Sequence, residues 1–285
     1  MIYKNILILI ILSLLTGCGS NIFETFDDNE NTTANLLNQL EYAETDEDYD
    51  KIIANTNLII NDPSSTNAEK GAAQLIQSEA IITKAGVTTI DMMGNIGTAV
   101  DNPDISNFNA LNVNANQKDA LIKAAKQIEN AESNGVNPTE DQHLTKGVTN
   151  IAVAKATIDE SLIINDDGTV TRKDETKSFF QSLETAMYPD PTDTTKTTSD
   201  YATSGIDGLT NSNSFTTSQN DEMNDVKTDI VKAQDLHTAA KNGTTYTKTD
   251  GTEVTFSGNF NSDGDLVDET EQNVIEQELS SIFRN

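Results

Sequence analysis

Apolar residues along most of this chain recur at steps of three and four, the period at which side chains share one face of an α-helix. Leu36, Leu37 and Leu40 mark a first helix within 34–43. A second, capped by Thr45 or Asp46, carries Tyr49, Ile52, Ile53, Thr56 and Ile59/Ile60 on one face and runs to about Asn61, where Pro63 stops it. A third, from about Thr66 to Ala85, gathers Ala72, Ala73, Ile76 and Ala80 on a face of small side chains and ends at Gly86. Thr88 and Asp91 have the spacing of a capping box and open a helix bearing Ile90, Met93, Gly97 and Val100. Past Pro103, Asn116 caps a helix with Leu121, Ala124, Ala125, Ile128 and Ala131, closed by Gly135. Pro138-Thr139-Glu140 then opens a long seam through Leu144, Val148, Ile151, Ile158 and Leu162, with Lys155 occupying one step. Asn165 to Gly168 reads as a turn, and Asp174 to Met187 as an amphipathic helix with Phe179, Phe180, Leu183 and Met187.

The pattern changes at Tyr188. From there to Asn220 the chain is mostly Thr, Ser, Asn, Asp and Gly, which reads as a polar low-complexity loop. Helical spacing returns over 221–241 through Met223, Val226, Ile230 and Ala233. Between Thr244 and Val267 the period becomes two, with Tyr246, Val254, Phe256 and Phe260 around tight turns at Asp250-Gly251 and Asp263-Gly264. Asp268 and Glu271 open a last helix with Ile275, Leu279, Ile282 and Phe283 in one stripe. The expected fold is all-α: antiparallel helical hairpins with a small β-hairpin near the C-terminus. Asp48-Tyr49-Asp50-Lys51-Ile52-Ile53, closed by Asn61-Asp62-Pro63, resembles the second helix of a tetratricopeptide repeat, and the Ala72–Gly86 segment resembles the first helix of the next unit. The resemblance spans roughly 34–100, but the Trp/Leu–Gly–Tyr pattern of the first helix is not intact. An irregular helical bundle satisfies the same periodicity.

The N-terminus has a different grammar. Lys4 precedes an apolar run, Ile6 to Leu15, too short to cross a ~30 Å hydrocarbon core as a helix. The run ends in Leu15-Thr16-Gly17-Cys18, which resembles the lipobox of bacterial lipoproteins. That resemblance implies cleavage between Gly17 and Cys18 and lipidation of Cys18, the only cysteine of the chain. It also implies the outer membrane as the destination, because Gly19 and Ser20 follow the cysteine and not the Asp that favours inner-membrane retention. The organisation expected is a signal peptide over 1–17, a lipidated cysteine and tether over 18–33 and a helical domain over 34–187. The polar loop follows over 188–220, and a helix, hairpin and C-terminal helix over 221–285 pack on the helical domain.

Composition narrows what such a protein binds. With 46 acidic and 18 basic residues in 285 the formal charge is −28, so no nucleic-acid partner is expected. The same charge repels anionic lipid, and acyl chains, each contributing about 0.8 kcal/mol per buried CH₂, would be what holds the chain to a membrane. A lone cysteine excludes disulfide scaffolds, CxxC redox centres and cysteine-built zinc sites. Nucleophile elbows, HExxH, phosphate loops and dinucleotide fingerprints are all lacking, and no cofactor is expected. His143 and His237 are the only histidines, and both read as ordinary boundary residues on helices. Asn259, Asn261 and Asp263 alternate ahead of Gly264 and resemble the opening of an EF-hand calcium loop, but the twelfth position is Thr270 and no helix precedes it. The reading that results is a non-catalytic, lipid-anchored envelope protein whose helix faces bind another protein. The alternatives are a solute-binding accessory of a transporter, with the solute held between helices, and an enzyme working with carboxylates alone.

Overall fold

The structure is a computed structural model that describes residues 32–87, 113–165, 167–190 and 192–284. The apolar run, Gly17 and Cys18, all but the end of the expected tether, and the helix expected from Thr88 lie outside the described residues. Among the described residues the fold is all-α with two small antiparallel hairpins. The helices are α1 (Thr33–Tyr42), α2 (Asp46–Asn61), α3 (Asn67–Lys84), α4 (Ala115–Ser133), α5 (Glu140–Ser161), α6 (Phe179–Met187), α7 (Thr198–Asn211), α8 (Thr217–Asn242) and α9 (Glu269–Ile282). The strands are β1 (Leu162–Ile164), β2 (Val170–Arg172), β3 (Thr245–Thr247) and β4 (Glu253–Thr255). Two compact units divide the chain. One holds α1 to α4, Glu140–Thr149 of α5 and Gly208–Ser214; the other holds Asn150–Asp207 and the chain from Phe215 onward.

Local capping sets the helix starts of the first unit. Thr45 and Asp48 form a reciprocal capping box at α2, and Thr66 and Glu69 another at α3. A short connection makes α2 and α3 antiparallel, with Lys84 at the end of α3 paired with Asp50 near the start of α2; α4 also runs against α3, Asn134 beyond its end donating to Gln74 in the first half of α3 at 2.8 Å. Leu36, Ala43, Tyr49, Ile52, Ile76 and Ala80 make one buried cluster, in which each fully buried large apolar side chain contributes about 1.5–3 kcal/mol. A polar bridge fixes the register of α2 on α3, with Gln77 Nε2 donating to Thr56 Oγ1 at 3.1 Å and Asn57 Oδ1 at 3.0 Å. Gly71 lets α3 approach the turn after α4, where a Cβ would stand 2.4 Å from a Val136 methyl carbon.

Helix α5 departs from the amphipathic expectation. Its predicted seam is buried, but burial is unbroken from Gly147 to Ile158, on every side of the helix. The residues off the seam are small or weakly polar, Thr149, Ala152, Ala154, Ala156 and Thr157 among them, so neighbouring backbones come close. Within the first unit, a Cβ on Gly208 would lie 2.7 Å from the carbonyl oxygen of His143 and 2.8 Å from the nitrogen of Gly147. Within the second, a Cβ on Gly205 would lie 2.8 Å from Ile151 Cγ1. Both glycines belong to α7, a helix inside the stretch 188–220 that the sequence reads as loop. The correction has a physical reason. Gly205 and Gly208 act as contact points for a close helix crossing, and Tyr201, Ala202, Ile206 and Leu209 supply a buried face that Thr, Ser and Asp dilute in the sequence.

In the second unit, three hairpin tips share one hydrogen-bond pattern. Asn165 N–H donates to Thr169 O while Gly168 N–H donates back to Asn165 O; Lys248, Thr252 and Gly251 repeat this, and so do Asn261, Asp265 and Gly264. In each the glycine has a left-handed φ between +76° and +80°, which makes it the bulge residue after a type I turn. The tips close β1–β2, β3–β4 and the Phe260–Leu266 bridge. The β1–β2 hairpin was not expected, because three apolar residues after a helical seam, Leu162 to Ile164, continue its apolar pattern. Helix α6 starts at Phe179 and not at Asp174: Ser178 and Gln181 form its capping box, and the Asp174 carboxylate instead accepts from the amide and hydroxyl of Thr176. Helix α9 gathers the hairpins. Ser280 accepts from Val170 N–H, Glu278 from Thr249 N–H at 2.6 Å, and Glu271 from Ser257 N–H at 2.6 Å. Glu271 therefore serves the strand side, and Asp268 alone caps α9.

Acidic residues also close the loops. Asp62 with Ser64, Asp167 with Thr169, Asp174 with Thr176, Asp190 with Thr192, Asp193 with Thr195 and Asp250 with Thr252 each pair a carboxylate oxygen with the amide and hydroxyl two residues on. The hydroxyl and amide hold the carboxyls of Asp62, Asp167, Asp174 and Asp250 below the usual range.

Two outcomes follow from this packing. Gly208→Ala in a helix interior would ordinarily gain about 1 kcal/mol, but the added carbon meets backbone atoms that cannot yield, so urea unfolding should show a net loss of about 1–2 kcal/mol. Glu79 on α3 has its carboxyl pushed up by burial, from 4.5 to about 7. It is neutral in both states below about pH 4.5, and stability is lost as pH rises towards 7 because the unfolded chain ionises first. Glu79→Gln should therefore melt higher than the parent at pH 8, with the two melting curves converging by pH 4.

Candidate functional site

The calcium-like residues fall in the third hairpin tip, where the Asn261 side chain is engaged locally. Asn261 Oδ1 accepts from the amides of Asp263 at 2.9 Å and Asp265 at 3.0 Å, while the carbonyl of Asp263 accepts from Gln181 Nε2. The carbonyl of Asn259 accepts from Val267 N–H. Hydrogen bonding inside the turn thus accounts for Asn261, the middle of the three positions. Among the described residues no group of three or more His, Cys, Asp or Glu side chains could hold a metal ion. His143 sits half-buried in the first turns of α5.

His237 departs from its expected boundary position. It is fully buried, and Nε2 pairs with Glu184 Oε2. Two helices build the arrangement from matching four-residue steps: α6 brings Phe180 and Glu184, with Tyr188 at its C-cap, and α8 brings His237 and Lys241. Phe180 stacks on the imidazole with centroids 5.5 Å apart, and Tyr188 meets it edge-on at 5.8 Å. Lys241 donates to Glu184 Oε1 at 2.8 Å and lies over the Tyr188 ring at 5.1 Å. Burial by itself would raise the Glu184 carboxyl, but hydrogen bonds from His237 and Lys241 outweigh it and hold the group at about 2. The same ion pair raises the Lys241 ammonium against the opposing effect of its burial.

Chemically this is a charge-assisted network with a buried imidazole at its inner end and a half-exposed carboxylate and ammonium at its outer end. The second ring nitrogen, Nδ1, is buried without a hydrogen-bond partner, and Nε2 is committed to Glu184, so the imidazole turns no nitrogen towards solvent or an incoming substrate. Nε2 as the donor to Glu184 leaves Nδ1 as a bare lone pair, the less costly of the two orphans in an apolar setting. Outside the network lies an open groove of about 600 Å³, lined by Lys177, Phe180, Gln181, Glu184, Thr185, Lys241, Phe260, Asp263 and Gly264. Sequence reading missed both features. The available signal was the Phe180–Glu184–Tyr188 spacing, one polar step in an otherwise apolar helix face.

Glu184→Ala would leave buried His237 unpaired and should cost about 1–3 kcal/mol in urea unfolding, whereas Glu184→Gln keeps an acceptor and should cost less. The carboxylate's folded value lies below its ordinary 4.5, so its contribution is present above that pH and lost as pH falls towards 2. An acid titration of stability should accordingly be shallower over that window in Glu184→Gln than in the parent. No family model matches the chain, and comparison with curated proteins and with solved structures gives no match.

Proposed function

We propose that this chain is a lipid-anchored protein of the bacterial outer membrane, whose helical array presents a surface to another protein. The observation that carries the reading is the order of Lys4, the apolar run Ile6 to Leu15, and Leu15-Thr16-Gly17-Cys18 with the chain's only cysteine. Among the described residues no helix is long and apolar enough to cross a membrane. Two acyl chains on Cys18 would give durable attachment where the acidic surface gives none. The antiparallel helices α1 to α4 support the second half of the proposal. Small and apolar residues line their shared core, joined by polar bridges such as Gln77 to Thr56, and an array of this kind would offer its outer faces for side-chain recognition.

Metabolic labelling with a radioactive fatty acid tests the anchor: the parent chain should take up label and Cys18→Ala should not. An unlabelled parent overturns it. Cross-linking on intact cells, followed by purification in mild detergent, tests the scaffold, and recovery of the chain without any cross-linked protein counts against it.

A further inference from the structure

The groove beside the Glu184–His237 pair has a chemistry that anchoring and scaffolding leave unused. Its apolar side is formed by Phe180 and Phe260, whose rings stand 5.0 Å apart and tilted by 45°. Four charged side chains border it: Lys177, Lys241, Glu184 and Asp263. Glu184 is saturated by His237 and by Lys241 at 2.8 Å. The other two are uncommitted. Lys177 makes no ion pair among the described residues, and the Asp263 carboxylate receives only the Ser262 hydroxyl at 3.4 Å. Lys177, near Asp174 but not paired with it, and a carboxylate with one long hydrogen bond thus border the same groove as an aromatic ring, in a volume of about 600 Å³ that falls in the range of small-ligand sites.

The surroundings decide what would fit. At a formal charge of −28, a purely anionic ligand is repelled by the protein at large, even with Lys177 to receive it. A purely cationic ligand would spread over the whole acidic surface and gain little from this groove. A net-neutral zwitterion avoids both penalties. We propose that the groove binds a short peptide with free termini and an aromatic or large apolar side chain. Its carboxylate meets Lys177, its ammonium meets Asp263, and its side chain packs on Phe260. The proposal stands apart from the anchoring reading, and its failure would leave that reading intact.

Equilibrium dialysis of the full chain in detergent micelles against labelled alanyl-phenylalanine, with empty micelles as the blank, tests it. The dipeptide should be retained at one equivalent with sub-millimolar affinity. N-acetylation, amidation of the carboxyl group, or replacement of phenylalanine by glycine should each weaken retention at least tenfold. Lys177→Glu, on an exposed side chain, should do the same without moving the thermal melt; Phe260→Ala should also weaken it, and if that variant fails to fold Lys177→Glu decides. No retention above the blank, equal binding of the acetylated peptide, or an unaffected Lys177→Glu variant overturns the proposal.

Discussion

Close approach between helix backbones is the constraint on which this fold depends. The chain has few aromatic residues and no Trp, so it cannot fill wide gaps between helices with large side chains. Packing density must instead come from bringing main chains together, and interiors tolerate few voids. Gly71 on α3, Gly147 on α5, and Gly205 and Gly208 on α7 stand where a single extra carbon would meet another segment at 2.9 Å or less. Ala73, Ala80, Ala124, Ala125, Ala152 and Ala154 extend the same solution. An alanine-rich, glycine-punctuated helical protein of this kind stays ordered because dispersion contacts between backbones replace the missing bulk.

The acidic composition has a structural use that follows from the same shortage. Besides a few apolar anchors such as Val87, Phe256 and Leu266, many loops are pinned by their own side chains. Asp followed two residues later by Ser or Thr recurs at turn after turn, and Thr-x-x-Asp, Thr-x-x-Glu or Ser-x-x-Gln spacing opens several helices. Deeper carboxylates do longer-range work: Glu278 and Glu271, two helical turns apart on α9, hold the Thr249 and Ser257 amides, and Glu184 holds His237 and Lys241. Part of the negative charge is therefore tied into hydrogen bonds to the folded backbone, and the larger remainder gives a surface that would repel anionic lipid.

The two functional readings draw on different parts of the chain. Membrane attachment rests on the first eighteen residues and their order. The groove belongs to the second unit, where α6, α8 and the third hairpin tip converge. Its chemistry comes from the same Phe180–Glu184 face that buries His237: Glu184 satisfies the histidine inside and, by pairing with Lys241, leaves Lys177 and Asp263 as the uncommitted charges outside.

Local chemistry was legible in the sequence. The boundaries of α2 and α3, the stop after Ser133 near Gly135, the Asp-Gly turns and the stripe of α9 all follow from capping, turn and periodicity rules that act within a few residues. What remained hidden depends on who stands opposite whom. Glycines at 205 and 208 look like helix breakers until α5 is placed against them, Asp268-x-x-Glu271 looks like a cap until Ser257 claims the glutamate, and His237 looks peripheral until Glu184 faces it. Spacing along one helix specifies which face a residue occupies. Whether that face is wet, buried or paired is decided by residues that can lie 110 positions away, as Val170 and Ser280 do, because burial and long-range hydrogen bonds arise only when separate elements meet.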